Sequence, residues 1–198
     1  MINKVIDKII NQINGLLFGV TKEAEQSSYK NIMIELVEQR NNINKILINK
    51  TYFIFNYSAW SLARNKGYSF KEMLQNVDKK TFYFLAELSK IDEIMSVEIT
   101  SLWRPTSGIH NLGLGIDIGK IITKHGTVNY LRHSNDQKDS ILNKQIRKKI
   151  WSTGLLSQWI APWKIRGILG ERGGWRKNTK NKAIDRQHRN HLHLTIKS

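Results

Sequence analysis

The chain contains no cysteine among its 198 residues. This absence excludes disulfide bridges, cysteine-based zinc knuckles, iron–sulfur clusters and cysteine nucleophiles. Any metal ion must therefore be bound by histidine, aspartate or glutamate. Proline is scarce, with two residues. Acidic residues are also few, since the chain has 16 of them and 32 lysines and arginines. The apolar fraction of 40% is sufficient for a core, which argues against wholesale disorder.

Long apolar runs are also missing. No stretch reaches the roughly 18 uninterrupted apolar residues of a membrane-spanning helix. The N-terminal stretch carries Lys4, Asp7 and Lys8 and has no clear cleavage site, so no secretion signal is evident. From these two absences we expect a soluble protein that is made in the cytoplasm.

Positive charge is concentrated in the second part of the chain. Residues 1–119 carry 14 basic and 12 acidic side chains, whereas residues 120–198 carry 18 basic and 4 acidic ones. The second part also holds five of the six histidines, and the sixth, His110, lies just before it. A field of this size attracts anionic partners, for which nucleic acid, anionic lipid and bacterial wall polymers are candidates.

In the N-terminal part of the chain, apolar residues recur at the spacing of one face of a helix. Helices are predicted over 1–20 and 27–49, while the aromatic-rich stretch 51–63 fits either a helix or a strand. We therefore expect two parts, a helical N-terminal segment over 1–64 and a mixed domain over 65–198.

The mixed domain is predicted to be α+β. Ser69 and Glu72 form a capping box at the start of a short helix, and further helices are expected over 78–90 and 134–151. A long glycine-containing loop is expected over 152–183. Stretches rich in β-branched or alternating residues indicate a small antiparallel sheet that these helices flank, with strands near 96–103, 114–122 and 190–196.

The stretch WRPTSGIHNLGLGID, residues 103–117, is the most informative for function. His110 and Asp117 lie in it with two glycines between them, which let the chain fold back so that both side chains reach one point. His191 and His193 stand two positions apart on a predicted strand and therefore project to one face. Two histidines and one aspartate suffice for a catalytic zinc site with an open position for water.

This pattern, H-x(6)-D followed by H-x-H on a strand, resembles the LAS group of zinc peptidases. That group includes lysostaphin-type endopeptidases, D-alanyl-D-alanine carboxypeptidases, murein endopeptidases and the hedgehog signalling domain. ITSLWRP and GIHNLGLGID run close to the S-G-Y-R-x and S-x-H-x-x-G-x-A-x-D motifs of the carboxypeptidase and phage-endolysin branch. Trp103 takes the aromatic place, Gly108 replaces the usual serine and Gly115 the usual alanine. The resemblance covers residues 65–198.

The resemblance implies a role for each residue of the constellation. His110, Asp117 and His193 would bind Zn²⁺. His191 would act beside the metal as a base or as a stabiliser of the tetrahedral intermediate, and Arg104 would help to bind the peptide or the developing oxyanion. Residues 65–198 would then be a zinc peptidase-like catalytic domain with a hedgehog-like or DD-peptidase-like fold.

One position departs from the carboxypeptidase branch. That branch usually carries glutamate or aspartate three residues before the last zinc histidine, where this chain has Asn190. The run HRNHLHL instead gives H-x-x-H-x-H, which is similar to the murein endopeptidase branch. His188 is therefore a further candidate for substrate binding or proton transfer.

The sequence thus predicts a zinc-dependent peptidase that cuts the stem peptide or cross-link of bacterial peptidoglycan. Anionic wall polymers or anionic lipid are further expected partners. With no evident signal peptide, a phage or prophage endolysin that is released through a holin, or a virion-associated lysin, is expected. Two alternatives stay open, a basic nucleic-acid-binding protein or nuclease, and an inactive zinc-containing module that binds the wall.

Overall fold

The computed structural model describes six stretches of the chain, residues 34–40, 43–56, 58–106, 108–131, 140–160 and 190–198. The predicted helix over 1–20, most of the predicted loop over 152–183 and the candidate His188 lie outside these stretches. No helix in the described stretches combines the length and the apolar composition that crossing a bilayer requires.

Eight strands of the described residues form one sheet. They are β1 (Ile34–Arg40), β2 (Ile43–Ile48), β3 (Thr51–Phe55), β4 (Ile94–Ser101), β5 (Gly115–Thr123), β6 (Gly126–Asn129), β7 (Leu156–Ile160) and β8 (Leu192–Ile196). Their order is β1-β2-β3-β4-β5-β8-β7, and β6 pairs with β5 off this path. Every pairing is antiparallel except that of β3 with β4.

Four helices accompany the sheet in the described residues. They are α1 (Ser61–Asn65), α2 (Phe70–Gln75), α3 (Lys79–Ser89) and α4 (Ile141–Ser152). The capping box at Ser69 and Glu72 is confirmed, and Asp78 caps α3 by accepting a hydrogen bond from the Lys80 amide. The predicted mixture of helices with a mainly antiparallel sheet is therefore confirmed, with a larger sheet than expected.

The predicted helix over 27–49 is wrong for its described part. Residues Ile34–Arg40 and Ile43–Ile48 are two paired strands instead. In β2 the buried positions Asn44, Ile46 and Ile48 alternate with more exposed ones, because one face of the strand packs into the core. Glutamate, glutamine and lysine in this stretch favour helix locally, but the pairing with β3 overrides that preference.

The sheet continues across residue 64, where we expected one part of the chain to end and the other to begin. Tyr52 to Phe55 of β3 pair in parallel with Ser96 to Ile99 of β4. Strands β1, β2 and β3 are therefore part of the same sheet as the later strands. The division into an N-terminal segment and a catalytic domain stays a prediction.

The core lies against one face of the central strands. Phe53, Val97, Ile121 and Val128 are paired in register across four neighbouring strands, and all four are fully buried. Phe84, Leu85 and Leu88 of α3 are equally buried and belong to the same apolar cluster. The resulting scaffold holds β5 and β8, the strands of the candidate site, in the interior of the sheet rather than at an edge.

Two stretches differ from the predicted elements. Leu156–Ile160 is a strand, β7, where a loop was expected, and this prediction is wrong. The helix expected over 134–151 begins at Ile141 in the described residues, where the Ser140 hydroxyl caps it by accepting a hydrogen bond from the Asn143 amide.

Candidate metal centre

The pairing of β5 with β8 brings the two ends of the motif together. Asp117 of β5 lies directly opposite His193 of β8, and Ser101 of β4 lies opposite Asp117 on its other side. Directly opposite residues of antiparallel strands point to the same face with Cβ atoms about 5 Å apart. Although 76 positions separate Asp117 and His193 in sequence, the register makes them neighbours.

His110 reaches this point from a loop that folds back on itself. Its Nδ1 donates to the Leu102 carbonyl oxygen at 2.5 Å, and the Arg104 amide donates to the His110 carbonyl at 3.4 Å. The indole Nε1 of Trp103 donates to the Asn111 carbonyl at 3.1 Å. These bonds close the loop between β4 and β5, so the fold-back that the glycines predicted is present.

Gly113 fixes that loop to the start of α3. Its φ of 71° is in the left-handed region, and an added Cβ would overlap the Asp78 amide nitrogen. Its carbonyl accepts two hydrogen bonds, from the Thr81 hydroxyl at 2.6 Å and from the Asp78 amide at 3.2 Å. The N-terminal turn of α3 therefore holds the segment that carries His110.

Thr81→Val is expected to lower the free energy of unfolding by about 1 kcal/mol, because a fully buried hydroxyl loses its bond to the Gly113 carbonyl while the shape is kept. Denaturant unfolding measures this change. Thr127→Val, at an exposed position of β6, is the matched control and should lie within about 0.5 kcal/mol of the wild type. Equal stability of both variants would show that the Thr81 bond does not hold the loop.

Three imidazoles converge on one oxygen of Asp117. Its Oδ1 lies 2.7 Å from His193 Nδ1, 3.3 Å from His110 Nε2 and 3.6 Å from His191 Nε2. One potential ligand atom from each of His110, Asp117 and His193 lies within 4.8 Å of the other two, and all three residues are buried. This group could hold a metal ion.

The orientation of His110 suits metal binding. A carbonyl oxygen only accepts hydrogen bonds, so the Leu102 carbonyl requires the hydrogen on Nδ1. Nε2, which faces Asp117, is then the nitrogen whose lone pair a metal ion would bind. Fixing the outer nitrogen of a ligand histidine through a backbone carbonyl is typical of metal sites.

The spacing of the ligand atoms can be compared with a tetrahedral zinc site. Zinc bonds of about 2.0–2.1 Å place neighbouring ligand atoms about 3.3 Å apart. The distance from His110 Nε2 to Asp117 Oδ1 already has this value, at 3.3 Å. The distance of 2.7 Å from His193 Nδ1 to Oδ1 would have to widen by about 0.6 Å, which a small side-chain rotation provides. These two distances are therefore compatible with a bound metal ion such as zinc, and the same donor set suits other first-row ions.

The Asp117 carboxylate is ionised despite its burial. Burial would raise its pKa, but hydrogen bonds from His110 and His193 and the charges of His110 and His191 hold the pKa well below its usual range. Arg104 forms an ion pair with Oδ2, the oxygen on the other side, and its Nε donates to the Ser101 hydroxyl. Arg104 thereby orients the carboxylate so that Oδ1 faces the imidazoles.

His191 lies at the mouth of the site rather than inside it. Its side chain is 16% exposed, against 7% for His193 and 10% for His110. Its Nδ1 lies 3.0 Å from Asn190 Oδ1, which only accepts, so Nδ1 carries a hydrogen. The other ring nitrogen, Nε2, faces Asp117 from the solvent side.

A cleft of about 190 Å³ adjoins Arg104. Aromatic, hydroxyl and guanidinium groups line it, among them Trp60, Thr100, Ser101, Trp103 and Arg104. It mixes apolar surface with a few polar groups, as small-molecule sites do. The chain therefore offers room for a substrate group beside the residues that surround Asp117.

The structure brings together five of the six residues selected from the sequence: His110, Asp117, His193, His191 and Arg104. His188 lies outside the described residues. Sequence reasoning missed Thr195, whose hydroxyl contacts His193, and Gln158, which contacts Thr195. The alternation of HLHLTI places Thr195 on the histidine face and was a usable signal, whereas Gln158 lay in a presumed loop.

Comparison with known proteins adds no relative to this picture. No protein-family model matches the chain, and neither a curated protein nor a solved structure is significantly similar to it. The functional argument therefore depends on the motifs and on the geometry of the candidate metal centre.

Proposed function

We propose that this chain is a zinc-dependent peptidoglycan peptidase of the LAS type, with a hedgehog-like or DD-peptidase-like catalytic fold. The observation that carries the proposal is the convergence of His110, Asp117 and His193 in one buried group. These are the residues that the short motifs select by resemblance, and they come from a loop and two strands that are distant in sequence. A chance match of motifs has no reason to produce such a cluster.

Bound zinc would supply a water molecule of lowered pKa and would polarise an amide carbonyl. His191 would accept the proton of the attacking water, because its Nε2 lies 3.6 Å from Asp117 Oδ1 and its ring reaches solvent. The Asn190 side chain keeps the ring in this orientation, in the place where the carboxypeptidase branch has an acid.

Arg104 links the metal ligands to the substrate. One nitrogen of its guanidinium pairs with Asp117, and the side chain also lines the cleft with Ser101 and Trp103. A guanidinium has five N–H donors, so it can hold Asp117 and still donate to a substrate carbonyl or carboxylate. The cleft then receives the part of the stem peptide next to the cut bond.

The net charge of +16 suits a wall substrate that is rich in anionic polymers. Long-range attraction of this kind raises the rate of encounter with the wall. A phage or prophage endolysin is the role that fits these properties, with anionic lipid as a further possible surface.

The test is a digest of purified peptidoglycan with the recombinant chain, with and without a chelator, read by mass spectrometry. We expect new peptide termini that disappear with the chelator and return when Zn²⁺ is added. The mass of the fragments identifies the bond that is cut.

Intact stem peptides and cross-links, from protein shown to be folded, would contradict the proposal. Binding to the wall that depends on zinc, without new termini, would favour the inactive module instead. Steep salt dependence of binding to DNA together with an uncut wall would favour the nucleic-acid alternative.

A further inference from the structure

Behind His193, on the side away from Asp117, lies a pair of polar side chains. His193 Nε2 is 3.3 Å from the Thr195 hydroxyl, and that hydroxyl donates to Gln158 Oε1 at 3.1 Å. Thr195 is two positions after His193 on β8 and therefore on the same face. Gln158 of β7 lies directly opposite Thr195 in the strand register. The three side chains form a continuous row across two strands.

The direction of these hydrogen bonds places a hydrogen on Nε2 of His193. The Thr195 hydroxyl donates its only hydrogen to Gln158 Oε1. Its oxygen can therefore only accept a hydrogen bond from His193 Nε2. Nε2 then carries a hydrogen, and a metal ion that displaces the Nδ1 hydrogen from its bond with Asp117 would bind the lone pair on Nδ1. Nδ1 is the atom that lies 2.7 Å from Asp117 Oδ1 in the candidate metal centre.

We propose that Thr195 and Gln158 are positioning residues that fix the tautomer of His193, so that Nδ1 is its metal-binding atom. This inference rests on the proposed zinc site. It gives His193 the same arrangement that the Leu102 carbonyl gives His110, with the roles of the two ring nitrogens exchanged.

The tautomer of His193 decides whether this residue can bind a metal ion. Both nitrogens of His193 lie inside the protein, since the residue is 6% exposed, and each has a polar neighbour. If the only hydrogen of the neutral ring were on Nδ1, the ring would present an N–H group to the metal and could not bind it. Gln158 prevents this state by keeping the Thr195 hydroxyl from donating to Nε2.

Each link of the row can be removed separately. Gln158→Leu frees the Thr195 hydroxyl to donate to Nε2, which favours the tautomer that cannot bind metal. Thr195→Val keeps the shape of the side chain but removes the acceptor for Nε2–H. Thr195→Ser and Gln158→Glu keep the hydroxyl and the acceptor, and they are the conservative partners of these two variants.

The first measurement is Zn²⁺ affinity by competition with a chromophoric chelator. We expect Gln158→Leu and Thr195→Val to bind Zn²⁺ about 10–100-fold more weakly, the usual effect of residues behind a ligand histidine. Thr195→Ser and Gln158→Glu should bind near the wild-type affinity. Ser157→Ala is the matched control on β7, because its hydroxyl contacts the backbone carbonyls of Thr195 and Ile196 and none of the side chains of the row.

The second measurement identifies the binding nitrogen directly. Protein labelled with ¹⁵N-histidine and loaded with ¹¹³Cd²⁺ should show coupling of the metal to Nδ1 of His193 and a slowly exchanging Nε2–H. In Gln158→Leu that N–H should exchange faster. A purely structural effect on folding would lower affinity without changing the exchange of this one hydrogen.

The outcomes separate the two proposals. Normal Zn²⁺ binding by both Gln158→Leu and Thr195→Val, or coupling through Nε2, would overturn the tautomer proposal and leave the zinc site standing. Failure of the folded wild type to bind Zn²⁺ or Cd²⁺ at all would overturn both. Weak binding by the serine and glutamate variants as well would show that packing, and not the hydrogen-bond direction, sets the affinity.

Discussion

His193→Ala is expected to remove Zn²⁺ binding and, with it, the release of peptide termini from peptidoglycan. The substitution deletes the nitrogen that lies 2.7 Å from Asp117 Oδ1, the shortest contact between potential ligand atoms in the candidate metal centre. Loss of a direct ligand should exceed the about 10–100-fold effect of losing a residue behind a ligand. Metal content after gel filtration and competition with a chelator measure the first effect, and the wall digest measures the second.

The fold should survive this change. Asp117 keeps its ion pair with Arg104 and its contact with His110, so no buried carboxylate is left without a partner. The apolar residues Leu192, Leu194 and Ile196, on the other face of β8, still pack into the core. Circular dichroism and a denaturant midpoint should therefore stay close to those of the wild type.

His125→Ala is the matched control for loss of a histidine. His125 is exposed in the turn between β5 and β6, and only its backbone amide has a bond there, to the Thr123 hydroxyl. This variant should bind Zn²⁺ and cut the wall like the wild type. Wall cleavage by His193→Ala that remains sensitive to the chelator would place the metal elsewhere in the chain.

The sequence predicted the helices that begin with a capping residue and the strand in which polar and apolar residues alternate. Ser69 with Glu72, and Asp78 ahead of its apolar helix, gave the starts of α2 and α3 because capping depends on residues close in sequence. The alternation in HLHLTI predicted β8 for a similar reason, since successive side chains of a strand point to opposite faces of the sheet.

Elements defined by distant partners were not predictable in this way. Strand β7 lies where glycines indicated a loop, and its residue Trp159 pairs with Leu194, some 35 positions away. Strands β1 and β2 have helix-forming residues, and their state depends on pairing with β3. Long-range pairing of this kind leaves little trace in local composition.

The candidate site was more predictable than the fold around it, because its residue types are rare and their spacing is short. His110, Asp117 and His193 were selectable from the motifs alone. The supporting groups were not, because a carbonyl such as that of Leu102 or an amide such as Gln158 carries no distinctive sequence signal. Their roles follow only from the hydrogen bonds that the fold creates.

Gly115→Ala is expected to weaken Zn²⁺ binding about 10–100-fold and to lower stability by about 1–3 kcal/mol. A Cβ at this position would lie 2.9 Å from Cγ and Nδ1 of His110 and 3.0 Å from Cδ2. The ring cannot yield by rotating, since Nδ1 is bound to the Leu102 carbonyl and Nε2 faces Asp117. The added methyl group must therefore push the whole imidazole away from the carboxylate.

Gly119→Ala is the matched control, because it overpacks the same strand without contacting His110, Asp117 or His193. Its Cβ would lie 2.7 Å from Thr100 Cγ2 and 3.0 Å from Leu131 Cδ2. Both variants should lose stability in denaturant unfolding, but only Gly115→Ala should lose affinity for Zn²⁺ in chelator competition. The resemblance to LAS peptidases, which usually carry alanine at this position, predicts instead that Gly115→Ala is harmless. Unchanged Zn²⁺ affinity would show that His110 can bind the metal from a position other than the one it takes over Gly115. The expected loss would show that the position of the His110 ring depends on the absence of a side chain at residue 115.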